Sequence, residues 1–568
     1  MKKFLKVLFV LAILASMFAL TACRGDSEAD ITPQATREDH GLDENFRFAE
    51  TAHITAALWD RGNERVPDFT ESFWAEWIQE QILIDHNIAV EFVSIPRWEE
   101  QPFLTTLLGA GDAPDVSFSF SFPLVETFAN MGAVMDLTPL LAAYGSWLPN
   151  MYDLLTPDNV YWNTNPVTGQ TWAIAGRLIA DGRVNTFIRE DWLNTLGIAP
   201  PTTLEEFENA LIAFRDNADI LLGADADRLV PFMLGSDVGW GTMLVNESFI
   251  PNDITERDWY VYGFDDRRFM HSTTKEGIRV INRWFNTGLV FQEFAYGEAG
   301  TLGGDMIRLG HVGAHIANWD VPFRAADAHI TTMRENIGPE ANFIVITPFP
   351  NDSGQTVKYM PPPTDRSIFF PHTNQDPVAS LLYLDWMSRA SVREFLAFGV
   401  EGIHRETLDN GAIRSLAEGP ADEPGSHRFP DNMVMPSLRN FDISLMVNGV
   451  DLGDDERSLA TLALAYPGID PEAILAARSA GLDRMRVFRQ VQTRTIEAQE
   501  GMATPLNEFR DTVLTNAIVA SIADFDNVWD TMFAQYMNMG GRAIIEERRA
   551  AWYESFGDVD FMPGWEGW

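Results

Sequence analysis

Apolar positions along this chain follow two different periods, and the segment 169–216 shows both. Thr171–Ala175 is a compact apolar run, and Val184–Ile188 alternates as a half-buried strand does. Between them lies GRLIADG, too polar and too rich in glycine to be core. Glu190-Asp191-Trp192-Leu193 then opens a short helix with acids in its first turn, and Gly197 stops it. After the rigid joint Pro200-Pro201, Thr203 is placed to cap a further helix, and Glu206 completes a capping box. The segment reads as the chain leaving one globular lobe and entering another.

The flanking segments extend the pattern. Ile54–Trp59, Val90–Ile95 and Asp115–Phe118 are strand-like. Phe69–Ile84 has helical spacing, and Phe103–Leu108 is a helix end stopped by Gly109. This β-α-β-α-β alternation implies a parallel sheet. Downstream, helices are expected over Thr202–Phe214, Thr274–Phe285, Pro377–Ser388 and Ser391–Phe398, with strands over Asn342–Pro348 and Arg366–Phe370. From about Asp454 the chain reads as helical, through Pro471–Ser479, Asp483–Ala498, Thr504–Ala520 and a last acidic-aromatic segment. Its Met and Trp stripes read as packing.

Composition narrows the class. With 568 residues, 46% of them hydrophobic, the chain is too long for one core and ample for two lobes. Acids outnumber bases 82 to 41, so nucleic acid and anionic membrane surfaces are excluded as partners. Lysine is scarce: beyond the first six residues only Lys275 and Lys358 occur, and arginine carries the basic charge. The single cysteine, Cys23, rules out an intrachain disulfide and a cysteine metal cluster. Lys2, Lys3 and Lys6 precede an apolar stretch, Val7 to Leu20, that is short for a membrane span. It ends Leu20-Thr21-Ala22-Cys23, which resembles the lipobox of bacterial lipoproteins; an ordinary signal peptide that happens to hold a cysteine is the plainer alternative. The resemblance implies a signal peptide over 1–22, lipidation at Cys23, a flexible tether over 23–45, and localisation on the extracellular face of the cell membrane.

Several motifs resemble the bacterial extracellular solute-binding proteins of family 1, in particular the long lipoproteins found beside sugar-import ABC transporters. They are DWLNTLGIAPPTTLEEFENALIAFRD, the run LLGAGDAPDVSFSFSFPLVETFANMGAVMDLTPLL from Leu107 to Leu141, HVGAHIANWDVPFRAA over 311–326, and GVEGIH from Gly399. In the last, Arg405 stands where the family has Tyr. The resemblance implies an α/β, periplasmic-binding-protein-like (type II) fold, with two lobes joined by hinge crossings and a helical C-terminal extension. It places lobe 1 at 46–178 and 316–366, lobe 2 at 179–315 and 367–453, and the helical part at 454–568. The implied function is capture of a carbohydrate, an oligosaccharide by chain length, for delivery to ABC permease subunits, by a protein acting as a monomer. A surface-anchored glycan-degrading enzyme and a sensory receptor of the same fold are the alternatives.

Ligands in open α/β sheets sit off the carboxyl ends of the strands, which points at Trp59 and at Ser119. Trp319 and Asp320, which follow a strand, offer an aromatic face for a sugar ring and an acid for its hydroxyls. Arg177 at the crossing, Trp240 between two glycines on an expected loop, Trp259 and Glu401 complete the candidate set. Relatives carry a calcium loop after the long helix. Here Asp216, Asp219, Asp225 and Asp227 remain without its glycine and asparagine spacing, so they read as solvated acids and no cofactor is expected. No GxSxG, HExxH or Walker A pattern occurs, and His311 and His315 lie in a strand-like segment, which disfavours a zinc pair.

Overall fold

The computed structural model describes residues 36–563, apart from 61–68, 97–98, 179–183, 236, 266–268, 296–298, 325–326, 361–363, 417–445, 448–454, 467, 484, 490 and 500–501. The expected lipidation at Cys23, the signal peptide and most of the tether lie outside the described residues. The strands, in chain order, are β1 (Ala52–Asp60), β2 (Ile88–Pro96), β3 (Ser117–Ser119), β4 (Ile174–Leu178), β5 (Val184–Arg189), β6 (Val230–Met233) and β7 (Val312–Asn318). They continue with β8 (Phe343–Ile346), β9 (Lys358–Met360), β10 (Thr364–Phe369), β11 (Arg405–Thr407), β12 (Ile413–Ser415), β13 (Met446–Val447) and β14 (Met485–Val487).

Two large apolar cores hold these elements. The first gathers side chains from Leu42 to Ile174 and again from Ile368 to Leu396. Its parallel pair β1–β2 runs in register from Ala52↔Ile88 to Asp60↔Pro96, and Val116 bridges to Ala56 in parallel. Beside it lies a sheet in the order β13-β4-β10-β3, in which β10 is antiparallel to both β3 and β4. The second core gathers Val184 to Phe349 and then Leu462 to Met562. Its sheet has the order β6-β7-β5-β8, with β5 antiparallel to β7 and β8 and β6 parallel to β7. Each core is built on α/β layers, as the alternation of periods predicts.

The chain crosses from the first core to the second between β4 and β5, and returns between β9 and β10. The expected lobe boundaries need correcting. Of residues 316–366 only Thr364–Arg366, in β10, join the first lobe; Phe323, Ile330, Met333, Phe343 and Phe349 pack in the second core. Residues 367–396 do the reverse, since Ile368–Phe370 and the helix Pro377–Met387 pack in the first. The reason is pairing: β7 is an interior strand of the second sheet, bonded to β5 and β6, so it marks no crossing.

Local rules account for the ends of helices. Thr203 Oγ1 accepts from the Glu206 amide at 3.2 Å, as the capping box requires. The Glu206 carboxylate reaches one residue further back than expected, to the Thr202 amide and hydroxyl, both at 2.8 Å. The first-lobe helix expected to stop at Gly109 runs to Ala110 and ends on Gly111, whose φ of 79° suits glycine. The helices Val238–Glu247 and Thr274–Asn286 approach so closely that a Cβ on Gly277 would lie 2.8 Å from the Asn246 Cα. One expected helix is absent: in the span 483–498 the described residues form β14, irregular chain and the start of a 3-10 turn, Glu497–Gln499.

The C-terminal helices Ala503–Val519, Phe525–Tyr536 and Arg542–Phe556 complete the second core with Val513, Trp529, Tyr536 and Trp552. Asn282 fastens the first of them, donating to the carbonyls of Ala517, Ile518 and Ala520 at 2.7–3.0 Å. Lys275 and Arg279 reach Asp526, and Lys275 also reaches Asp530. Among the described residues no helix is long and apolar enough to cross a membrane.

Candidate functional site

At the carboxyl edge of the first lobe, β1 ends in Trp59-Asp60 and β3 in Ser119. Trp59 is buried there, not open to a ligand: it stacks on Phe118 with centroids 5.0 Å apart and meets Phe120 edge-on at 4.7 Å. Ser119 is buried too, and its Oγ accepts from the Ser121 amide at 3.0 Å. Ser121 in turn caps the helix Phe122–Asn130. The part of this edge that stays half-exposed is its neighbour, a shelf of Phe120, Phe122 and Trp162. Phe122 and Trp162 lie 6.4 Å apart, and the Arg366 guanidinium lies 4.8 Å over the Phe120 ring. Glu100 accepts from the Phe120 amide at 3.2 Å and fixes the strand end. Tyr161, 45% exposed, precedes Trp162 in the chain and extends the shelf.

In the second lobe the parallel strands β6 and β7 deliver their ends to one edge. Trp240 follows β6 in the first turn of the helix Val238–Glu247, not on a loop as its glycines suggest. Asp237 caps that helix, accepting from the Trp240 amide at 2.9 Å. Trp319 and Asp320 follow β7, so the structure does bring Trp240 and this pair to one edge. It does not leave the pair open. Trp319 is 4% exposed and edge-on to Tyr466 at 5.9 Å. Asp320 holds Arg324 through two bonds, at 2.8 and 2.9 Å, and accepts from the Tyr466 hydroxyl at 3.4 Å. Burial works against the charge of Arg324, yet the Asp320 carboxylate raises its pKa overall. The C-terminal segment thus covers the position that the sequence marks for a sugar. Tyr466 lies far from it in sequence, so no local signal points to it.

The remaining candidates separate. Trp259 belongs to a small third core with Tyr359 and Phe488, stacked on each at 4.6 Å. Tyr359 lies in β9 and Phe488 just past β14, and the two strands pair in parallel. Arg177, in β4, donates to the Leu154 carbonyl at 3.2 Å. Glu401 lies on an exposed turn, accepting from the Thr407 amide and hydroxyl at 2.8 Å each and pairing with Arg405 at 3.3 Å. Those bonds to Thr407 hold its carboxyl below the usual range. It serves the turn, not the strand edges.

The aspartates that stand where relatives carry a calcium loop are spread over three elements. Asp216 ends the helix Leu204–Asp216, Asp219 lies in Ala218–Leu222, and Asp225 and Asp227 lie in a 3-10 segment, Gly223–Arg228. Asp225 pairs with Arg228 at 3.5 Å. Among the described residues no three of His, Cys, Asp or Glu converge on one point. His315 is buried in β7 against Phe187 and Phe343, and burial lowers its pKa to about 3.

Compared as a sequence, the chain matches no protein-family description and no curated protein. Compared as a structure, it is similar over most of its length to solute-binding proteins. With the alginate-binding protein AlgQ2, solved without calcium ion, the TM-score is 0.62 at 15% identity, over 90% of this chain and 99% of that one. The fold is that of a solute-binding protein. An HMO-binding, ABC-transporter-associated solute-binding protein from Bifidobacterium longum infantis gives a TM-score of 0.59 at 16% identity, over 89% and 99% of the two chains. The S. pneumoniae ABC-transporter substrate-binding protein FusA, in complex with kestose, gives 0.59 at 14%, over 88% and 99%. The solute-binding-protein fold accounts for the two cores and the strands that cross between them.

Proposed function

We propose that this chain is a binding protein, not an enzyme, that captures an oligosaccharide between its two lobes and hands it intact to the permease subunits of an ABC importer. The observation that carries the reading is the two-core, twice-crossed architecture, shared over nearly all of each chain with neighbours that bind alginate, HMO and kestose. The half-exposed shelf of Phe120, Phe122, Tyr161 and Trp162 supplies flat faces for the apolar faces of sugar rings. Each hydroxyl hydrogen bond adds about 0.5–1.5 kcal/mol, and micromolar affinity needs about 8 kcal/mol, so a few bonds and one or two stacked rings suffice. A ligand that touches both lobes favours their closure by its differential affinity for the closed state. The protein acts as a monomer held at the outer face of the cell membrane through lipidated Cys23, a reading supported by the lipobox-like Leu20-Thr21-Ala22-Cys23. Cleavage before that cysteine removes three lysines, leaving 38 basic and 82 acidic residues, a net charge of −44. Such a charge favours neutral glycans over polyanions such as alginate.

Isothermal titration against alginate, HMO and kestose tests the reading, with Trp162→Ala beside the parent chain. Heat with a neutral glycan, lost in the variant, supports it. No heat with any glycan removes the substrate class, and parent-like heat in Trp162→Ala removes the shelf. Chromatography of the glycan after long incubation separates binder from enzyme, since turnover would end the transport reading.

A further inference from the structure

We propose that Lys358 is a positioning residue, one that ties both crossing strands of the second lobe to the C-terminal helices and thereby sets the balance between open and closed lobes. The proposal rests on the reading of the molecule as an interlobe binder. Lys358 opens β9, the last strand before the chain returns to the first lobe, and is 4% exposed. Its Nζ donates to the Asn185 Oδ1 and to the Ala480 carbonyl, both at 2.6 Å. Asn185 is the second residue of β5, the strand that starts the other crossing. Its own Nδ2 donates to the Ala477 carbonyl at 2.7 Å. One ammonium and one amide therefore join both crossings to the last turns of the helix Pro471–Leu482. The strand after that helix, β14, then pairs with β9, Met485 opposite Lys358. The two strand ends that flank the crossings, at Asn185 and Lys358, are thereby held to one point of that helix.

Charge makes this knot conditional. The acids facing Lys358 are Glu247, at the end of the helix Val238–Glu247, and Asp483, just past the helix Pro471–Leu482. Arg486, on the paired strand, is turned away to the Asn252 carbonyl at 3.0 Å. A chain that uses arginine almost everywhere keeps a lysine here, where a compact point charge meets two acceptors in a buried space. Burial lowers the Lys358 pKa to about 8, with Glu247 and Asp483 opposing the shift. Above that pH its two charge-assisted bonds become ordinary ones, and the facing acids lose their cation. The knot loosens and the lobes sample a wider range.

Spin labels on Met131→Cys and Ile220→Cys, at positions 74% and 65% exposed in the first and second lobes, read the interlobe distance in a chain carrying Cys23→Ser. No sugar is added, so failure here and failure of the carbohydrate reading are separate results. The parent distribution is expected to broaden between pH 7 and 9.5 with a midpoint near 8. Lys358→Met is expected to be broad at every pH. Asp483→Asn, at an exposed position, is expected to move the midpoint down, and it keeps the test alive if the first variant does not fold. A parent distribution constant with pH, a Lys358→Met protein that behaves as the parent, or an unmoved midpoint in Asp483→Asn overturns the proposal.

Discussion

Trp319 and Asp320 carry an aromatic face and an acid side by side, which is the chemistry a sugar ring asks for. The fold uses both for packing. Trp319→Ala is therefore expected to cost about 3–5 kcal/mol of stability, as large-to-small changes in a core do. A urea melt checks it; an unchanged midpoint would return Trp319 to the list of ligand groups. His315 makes a second case. It sits uncharged among Phe187 and Phe343, with its pKa lowered to about 3 by burial, and its neighbour His329 is lowered by burial to about 4. Because the unfolded chain binds these protons from about pH 6.5 and the native chain does not, stability is full above that pH and falls as pH drops below it. Urea midpoints from pH 7.5 to 4.5 should decline, and His315→Phe should flatten the decline. A steeper slope in the variant would refute the assignment.

Among the elements, the C-terminal helices are fastened more than they are self-supporting. Asn282 reaches three carbonyls at the end of Ala503–Val519, of which Asn286 shares only the last, Ala520, at 2.9 Å. Asn282→Ala leaves buried acceptors without a donor and is expected to cost about 1–3 kcal/mol. Hydrogen exchange should quicken across 503–519 first; uniform exchange would show that the helix needs no such fastening. Helices with caps and stops were legible from their own residues, as Thr203 with Glu206 shows. The span 483–498 was not. Its period is ambiguous, and β14 exists because β9 offers a partner that lies far away in sequence.

For the whole molecule, the two cores and the crossings decide what can move. The second core depends on the last part of the chain: Leu462, Tyr466, Trp529 and Trp552 belong to it. Deleting 454–568 is expected to yield a protein that aggregates or unfolds without cooperativity, measured by size-exclusion chromatography and thermal melting. A soluble, cooperatively folding fragment would show that the C-terminal helices are an accessory layer.

Sequence alone determined the fold class, through the alternation of strand and helix periods, and determined much of the helix capping, since both depend on neighbours a few residues apart. It determined too that this is an acidic chain with a single cysteine, Cys23. Tertiary structure decided which lobe owns 316–366 and 367–396, because strand partners come from distant segments. It alone decided that Tyr466 covers Trp319 while Phe120, Phe122 and Trp162 stay half open. Exposure is a property of what lies across a surface, and no stretch of residues carries that information by itself.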